Sequence, residues 1–513
     1  MLSNVKSCGL SGIDGYVVTV ETDMGNGLPA FEIVGLADTA VRESKERVRS
    51  AIKNTGLEFP IRRITVNLAP ASIRKEGAIY DLPIALGILI SSGQLPVNSE
   101  ELNDCMFIGE LSLGGDIKAV QGVLPMAVCA FNSGVRNMVV PLANADEAGV
   151  VKGLNVLPAE NIIDVIKHIT GHSRIKTHSV DLEEIFSGSR EYDVDFADVK
   201  GQESTKRALE IAASGSHNCL LIGSPGSGKT MLARRIPTIL PEMTLPEALE
   251  VTKVHSIAGI LPSGVPLLTA RPFRSPHHTV SAVALVGGGK YLRPGEISLA
   301  HNGVLFLDEL PEFGRDALEV LRQPLEDGCV TISRISSSMT YPAIITLICA
   351  ANPCKCGKYL EPGNQCSCSP LQVEQYLGKL SKPLLDRIDI QIEVSSVKYR
   401  DLEGKKDGES SWEIRKRVNR ARSIQIERYK EYGIYSNSGL QPGMIKKFCK
   451  LDDKGNNLLR NAFERLGLSA RAHNRILKVS RTIADMDGSD EIKAQHVAEA
   501  IQYRSLDRRF WRG

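Results

Sequence analysis

An excess of charge of either sign is the first thing this sequence lacks. Its 62 Lys and Arg are matched by 60 Asp and Glu, a formal net charge of +2 over 513 residues. Bulk charge therefore marks neither a nucleic-acid binder nor a membrane-surface protein, and any charged partner has to be read from local patches. Long hydrophobic runs are missing as well. The longest strongly apolar stretch, Leu82 to Ile90, contains Pro83 and Gly87 and falls well short of the roughly 20 residues that span a bilayer. It reads as a buried helix. The 11 cysteines are too sparse for a disulfide scaffold. Their odd number, with no secretory signal in the opening residues Met1 to Lys6, leads us to expect a reducing cytoplasm and no membrane partner. No repeat of solenoid or propeller period is visible. What remains is a globular composition, 42% hydrophobic and 24% charged, long enough for roughly two to four domains.

Three textures follow one another along the chain. Residues 1–170 alternate β-rich runs (Gly15–Val20, Phe31–Gly35, Ile64–Leu68) with an amphipathic stretch, Ala40 to Thr55, whose Val41, Val48 and Ile52 share one helical face. That order predicts a mixed α/β domain. Residues 171–195 lose apolar periodicity and read as a linker. Residues 196–395 hold three continuous apolar runs, Asn218–Ile222, Gly303–Leu307 and Ile344–Ala350, as strands covered on both faces of a parallel sheet require. Residues 396–513 are predominantly helical in pattern.

Chemistry appears first at Gly223-Ser224-Pro225-Gly226-Ser227-Gly228-Lys229-Thr230, a complete phosphate-loop pattern between a buried strand and a helix start. Its glycines let backbone N–H groups converge on phosphate oxygens at a helix N-terminus. Lys229 is expected to reach the β- and γ-phosphates of ATP, and the Thr230 hydroxyl to ligate Mg²⁺. Downstream, Val304–Leu307 runs into Asp308-Glu309. Strand alternation sends these carboxylates to different sides, with Asp308 suited to the Mg²⁺ shell and Glu309 to polarising the attacking water.

GSPGSGKT, VLFLDEL, the strand ending Ala350-Ala351-Asn352-Pro353, LLDRIDI (384–390) and GLSARAHNRILKVSRTIAD (467–485), with RPFRSPHHTVS (271–281) and LVGGG (285–289), resemble a AAA+ ATPase of the magnesium-chelatase-like type, most closely the ComM/YifB family. The resemblance implies a P-loop core with a parallel sheet and a C-terminal helical lid. It also implies Asn352 as the sensor of the γ-phosphate, Arg387 as an arginine finger offered to a neighbouring subunit, and Arg471 as a second sensor arginine. A salt bridge from Arg387 to Asp386 or Asp389 is the competing reading. A homo-hexameric ring is implied, translocating on single-stranded or branched DNA as a helicase or branch-migration factor in recombination of DNA taken up by natural transformation. The alternative is a chelatase-type ATPase that remodels a metal-insertion partner enzyme.

Residues 13–168 resemble the proteolytic domain of Lon-type proteases, on Phe107–Ile117, Lys75-Glu76-Gly77 and Asp81–Ala85. Those enzymes use a Ser–Lys dyad. Here Tyr80 or Asp81 stands at the serine position and Leu124 at the lysine position, while Ser72 and Lys75 are mis-spaced. Without nucleophile and base, that peptide cleavage is not available, and the domain is expected to serve ring assembly, substrate guidance or partner binding.

Cys354, Cys356, Cys366 and Cys368 form two close pairs on a Gly/Pro-rich loop. They read either as a structural Zn²⁺ site or as free thiols, the C-x-C spacing being tighter than usual. For a polymer, the basic runs at Arg415-Lys416-Arg417, Arg420 and Arg422, and at Arg508–Arg512 with Phe510 and Trp511, suit either phosphate contact or a solvated face. The stretch from His277 and His278 through Gly287–Lys290 to Arg293, and a second hairpin over Cys329–Tyr341 carrying Arg334, are the better polymer-contact candidates.

Overall fold

A computed structural model describes residues 2–96, 102–188, 192–262, 264–289, 292–334, 337–361, 366–396 and 408–506. The chain divides into two compact units, Met1–Gly188 with Ala248–Thr269, and Ser189–Glu247 with Ala270–Gly513.

The first unit is built on a seven-stranded mixed sheet. Its order is Ala30–Val34, Arg63–Ala69, Asp14–Gly25, Ser3–Ser11, Cys105–Phe107, Asn137–Pro141, Asn155–Ala159. Period-two burial turns Ile64, Val66 and Leu68 inward along one strand. The helix Thr39–Asn54 starts where Asp38 accepts a hydrogen bond from the Val41 N–H, and it buries Val41, Ser44, Val48, Ala51 and Ile52. The apolar run near residue 85 is the helix Asp81–Ser91, buried over nearly its whole length. Gly87 is required there, since a Cβ would lie 2.5 Å from Thr22 Oγ1.

The positions that the Lon resemblance matched to a protease dyad are packed inside this unit. Tyr80 and Leu124 are core residues. Asp81, fully buried, accepts hydrogen bonds from Ser44, from Arg47 Nε at 2.6 Å and from the Leu111 N–H at 3.2 Å. Lys75 turns its amine onto the Pro70 and Ile73 carbonyls. The segment Ala248–Thr269 also belongs to this unit: Ser256 donates to buried Glu147, and Gly259 lies against Gln121. Within the stretch read as a linker, Leu182–Ser187 forms a short helix capped by Asp181.

The second unit carries a five-stranded, wholly parallel sheet in the order Phe273–Arg274, Val304–Leu307, Thr346–Ala351, Cys219–Ile222, Ile390–Glu393. The first of these strands in sequence, Cys219–Ile222, lies between two that come much later. Its carboxyl end is thus a topological switch point, where open α/β sheets place their ligands. All four of its residues are buried, as are those of Val304–Leu307 and Thr346–Ala351. The helices Ser411–Tyr429, Pro442–Phe448, Asp453–Leu466, Ala470–Met486 and Ala494–Gln502 follow, with Ile414, Val418, Ile476 and Ile483 sharing a core with the sheet.

A buried ionic node joins these helices to the sheet. Asp389 accepts from Arg475 and from the Asn218 N–H at 3.1 Å, and faces His217 at 3.4 Å. Burial alone would raise its pKa, but Arg475 and His217 outweigh it and hold the carboxyl below the usual carboxylate range. Because the folded pKa is depressed, this contribution is complete above the unfolded value of about 3.9 and is lost as pH falls below it. Asp389→Ala is expected to cost about 3–5 kcal/mol in denaturant unfolding, since Arg475 would be left without its buried partner.

Of the basic run on the helix Ser411–Tyr429, Lys416, Arg417 and Arg420 stay exposed, Arg415 is half-buried and Arg422 is buried. Arg417 pairs with Glu210 at 2.6 Å and with Glu409. Arg422 donates to the Ser214 and Ala213 carbonyls and to Ser216 Oγ, and burial pushes its pKa down to about 9. The run Arg508–Arg512 and Lys290 lie outside the described residues.

Two hairpins stand between the core strands. Gly287–Gly288 pairs with Arg293–Pro294, and Cys329–Arg334 pairs with Ser337–Pro342. They are fastened together by Tyr341 Oη, which donates to the Leu292 carbonyl at 2.9 Å.

Candidate nucleotide site

The phosphate loop leaves Ile222 and enters the helix Lys229–Arg235. Gly226 and Gly228 adopt φ of +78° and +89°, a region that side chains with a Cβ resist. Gly223 has no room for a Cβ, which would lie 2.4 Å from the Val394 carbonyl. The loop is also tied to its neighbours by Gly223 N–H to Ala351 O at 3.2 Å and Ser227 N–H to Ser224 O at 3.1 Å.

Four predicted site residues meet here. Lys229 Nζ donates to Gly223 O at 2.7 Å, to Ser224 O at 2.9 Å and to Asn352 Oδ1 at 3.2 Å. The amine thus rests on groups a phosphate would replace, and it is linked to Asn352, which follows the strand Thr346–Ala351. Burial lowers the pKa of Lys229, with Asp308 and Glu309 pulling the other way. Thr230 Oγ1 donates to Asp308 Oδ2 at 2.7 Å, so the two expected Mg²⁺ ligands already adjoin.

Asp308 and Glu309 are separated by a turn rather than by strand alternation. The strand ends at Leu307, and Glu309 adopts φ 53°, ψ 47°, a left-handed conformation that is uncommon for such a residue and clusters at functional sites. Its N–H donates to Asp308 Oδ1 at 3.0 Å. One carboxylate oxygen of Asp308 thereby fixes the turn while the other faces Thr230. The Glu309 side chain stays 54% exposed, open to a water nucleophile.

The donor set fits a nucleotide triphosphate with Mg²⁺. Ser227 Oγ is buried without a hydrogen-bond partner, an arrangement that a polar ligand would relieve. Lys229 and the loop N–H groups would hold phosphate, Thr230 and Asp308 would hold the cation, and Glu309 would orient water. The bound pair supplies the transferable phosphoryl group and its counter-charge.

Two further residues join the site: Gln202, which sequence pattern did not single out, and His278, which was read only as part of a polymer-contact stretch. Gln202, at φ 60°, donates from Nε2 to Ser227 O at 2.6 Å. His278 Nδ1 lies 3.7 Å from Glu309 Oε2, its ring 4.1 Å from that of His277. The histidine pair precedes the first hairpin in sequence. Through His278 this stretch of chain reaches the glutamate.

Arg387 and Arg471 are brought together elsewhere, on one carboxylate. Arg387, only 4% exposed, pairs with Glu326 and donates to the Arg322 and Pro383 carbonyls. Arg471, 61% exposed, lies 3.7 Å from the same Glu326. The hydrogen bond from Arg387 comes first among the influences that hold the Glu326 carboxyl below its ordinary range. Neither Asp386 nor Asp389 is the partner that adjacency suggested for Arg387. The four thiols Cys354, Cys356, Cys366 and Cys368 converge, with all four sulfurs within 4.8 Å of one another.

Comparison with known proteins gives three family profiles in series: subunit ChlI of Mg-chelatase over residues 20–144, magnesium chelatase subunit ChlI over 195–402, and the magnesium chelatase subunit ChlI C-terminal region over 408–504. Competence protein ComM of Haemophilus influenzae is 44% identical over 511 residues, 99% of this chain and 98% of that protein. YifB of Escherichia coli is 44% identical over 509 residues, again 99% and 98%. The magnesium-chelatase 38 kDa subunit of Rhodobacter capsulatus is 26% identical over 226 residues, 40% of this chain and 57% of that protein.

Proposed function

The chain belongs to the ComM/YifB family of magnesium-chelatase-like AAA+ ATPases, and from that membership we propose an ATP-driven motor that works on DNA. In this reading it assembles as a homo-hexamer, translocates on single-stranded or branched DNA, and drives helicase-type branch migration. The relative called a competence protein supports a place in recombination of DNA taken up by natural transformation. ATP and Mg²⁺ are the cofactors, with a structural Zn²⁺ on Cys354, Cys356, Cys366 and Cys368. Residues 1–170 act as a Lon-like assembly or guidance domain without the protease dyad, 171–195 as the connection, 196–395 as the motor core and 396–513 as the helical lid.

The observation that carries the ATPase half is the convergence of Lys229, Thr230, Asp308, Glu309 and Asn352 at the switch point. Glu309 is the water-polarising group, Asn352 reports on the γ-phosphate through Lys229, and Arg387 with Arg471 serves a neighbouring subunit's nucleotide. Glu326 holds both arginines until a phosphate competes for them. The DNA half is supported by the joined hairpins, which carry the exposed Arg293 and Arg334. Work on chromosomal DNA puts the protein in the cytoplasm; among the described residues no helix is long and apolar enough to cross a membrane.

The hairpins can be tested separately from hydrolysis. The variant Arg293→Ala with Arg334→Ala is expected to keep basal ATP turnover near wild type. It should lose DNA affinity and show a shallower dependence of binding on salt, by about one unit of slope per phosphate contact removed. DNA affinity and salt slope equal to wild type would exclude the hairpins as the contact surface.

A further inference from the structure

The cysteine cluster lies directly against the phosphate loop. Cys354 follows the sensor Asn352 by two positions, and its sulfur is 3.3 Å from that of Cys356 and 3.7 Å from that of Cys366, with Cys356 and Cys366 3.5 Å apart. A disulfide would need about 2.05 Å. Four sulfurs on a tetrahedral Zn²⁺ at about 2.3 Å stand about 3.8 Å from each other; the three measured pairs are slightly closer than that, and the Cys368 sulfur lies within 4.8 Å of the others. The surrounding backbone also points at the sulfurs: the Lys358 and Ser367 N–H groups approach Cys356, that of Tyr359 approaches Cys354, and that of Cys368 approaches Cys366. Such donors orient thiolates around a metal.

Apolar packing around the cluster is small, limited to Val373, Tyr376 and Leu377 beside Cys354. Between Ala351 and the helix Pro370–Leu377 the described residues contain no helix or strand. Yet this loop makes a close contact. Gly357, adjacent to Cys356 and with its N–H on the Cys354 carbonyl at 3.0 Å, has φ +80°, and a Cβ there would lie 2.3 Å from Pro225 Cδ. Pro225 is the third residue of the phosphate loop.

We propose that a Zn²⁺ ion bound by Cys354, Cys356, Cys366 and Cys368 presses Gly357 against Pro225, so that zinc occupancy sets the affinity of the phosphate loop for ATP. The inference rests on the ATP-site reading above. The ion takes no part in hydrolysis, because four protein ligands leave it no open position. It acts as a clamp behind the loop, replacing the apolar core that this short segment lacks. The phosphate loop must hold its N–H groups within a fraction of an ångström of the phosphate oxygens, and a displaced Pro225 would move them.

The test uses the full chain, purified without chelator. Metal content is read by mass spectrometry, and the Kd for a non-hydrolysable ATP analogue with Mg²⁺ is read by calorimetry. One zinc per chain is expected. Removing it from the folded protein with a zinc-selective chelator should weaken nucleotide binding by about tenfold or more, and adding zinc back should restore it. Cys356→Ser with Cys366→Ser should reproduce the zinc-free affinity. Gly357→Ala should keep its zinc and bind nucleotide more weakly, because the added Cβ would displace Pro225; unchanged affinity in this variant would overturn the contact through which the coupling runs. Lys229→Ala should lose nucleotide and keep zinc. Zinc well below one per chain, or iron in its place, overturns the site. Zinc removed with the Kd unchanged overturns the coupling alone, whereas a zinc-loaded wild type that binds no nucleotide overturns the ATP reading on which the coupling rests.

Discussion

Glu309→Gln is expected to cut ATP turnover about 10²- to 10⁴-fold, the usual contribution of a positioned acid–base group, while nucleotide binding persists. The site separates the two functions physically. In the proposed site, binding rests on the loop N–H groups, Lys229 and the Thr230–Asp308 pair, whose hydrogen bonds do not involve the Glu309 side chain. The glutamine keeps the size of the side chain and the left-handed turn, whose hydrogen bond uses the backbone N–H of residue 309. Only the capacity to polarise water is removed. Single-turnover hydrolysis and equilibrium binding of a labelled nucleotide, measured on the same preparation, check both halves. Turnover close to wild type would remove Glu309 from its role, and loss of binding would mean that the turn had not survived.

Arg387→Ala is expected to lower turnover by about 10³-fold or more if its guanidinium serves a neighbouring subunit. The side chain is also a packed one, pairing with Glu326 and donating to two carbonyls, so the loss alone would not separate a catalytic role from a structural one. Mixing does. Lys229→Ala supplies an intact Arg387 beside a dead phosphate loop, and Arg387→Ala supplies the reverse. Each should be inactive alone, and assembled together they should regain a fraction of wild-type turnover. No recovery from mixed assemblies that are shown to form would assign Arg387 to the scaffold around Glu326.

The parts of this fold that were legible in the sequence are those dictated by local pattern. Continuous apolar runs gave the buried parallel strands Cys219–Ile222, Val304–Leu307 and Thr346–Ala351, and the glycine spacing of 223–228 gave a turn that only glycine tolerates at Gly226 and Gly228. What stayed hidden depends on distant segments meeting. His278 reaches Glu309 across 31 positions, a separation no periodicity encodes. Arg387 passes over Asp386 and Asp389, its neighbours in sequence, because Asp389 is committed to Arg475 while Glu326 arrives from another helix. Of the basic residues on the helix Ser411–Tyr429, Lys416 and Arg420 stay exposed, whereas Arg422 is buried on carbonyls of another helix. Charge in a sequence does not say whether it faces water. The passage of Ala248–Thr269 into the first unit was equally silent, being carried by single contacts such as Ser256 to Glu147.

One measurement bears on the motor reading most directly: ATP turnover of the wild-type protein with and without forked DNA, with branch migration of a labelled junction followed in the same reaction. A DNA motor predicts turnover stimulated by the fork and junction resolution that needs hydrolysable ATP and is abolished by Glu309→Gln. Turnover indifferent to DNA, together with no DNA binding at low salt, would contradict it.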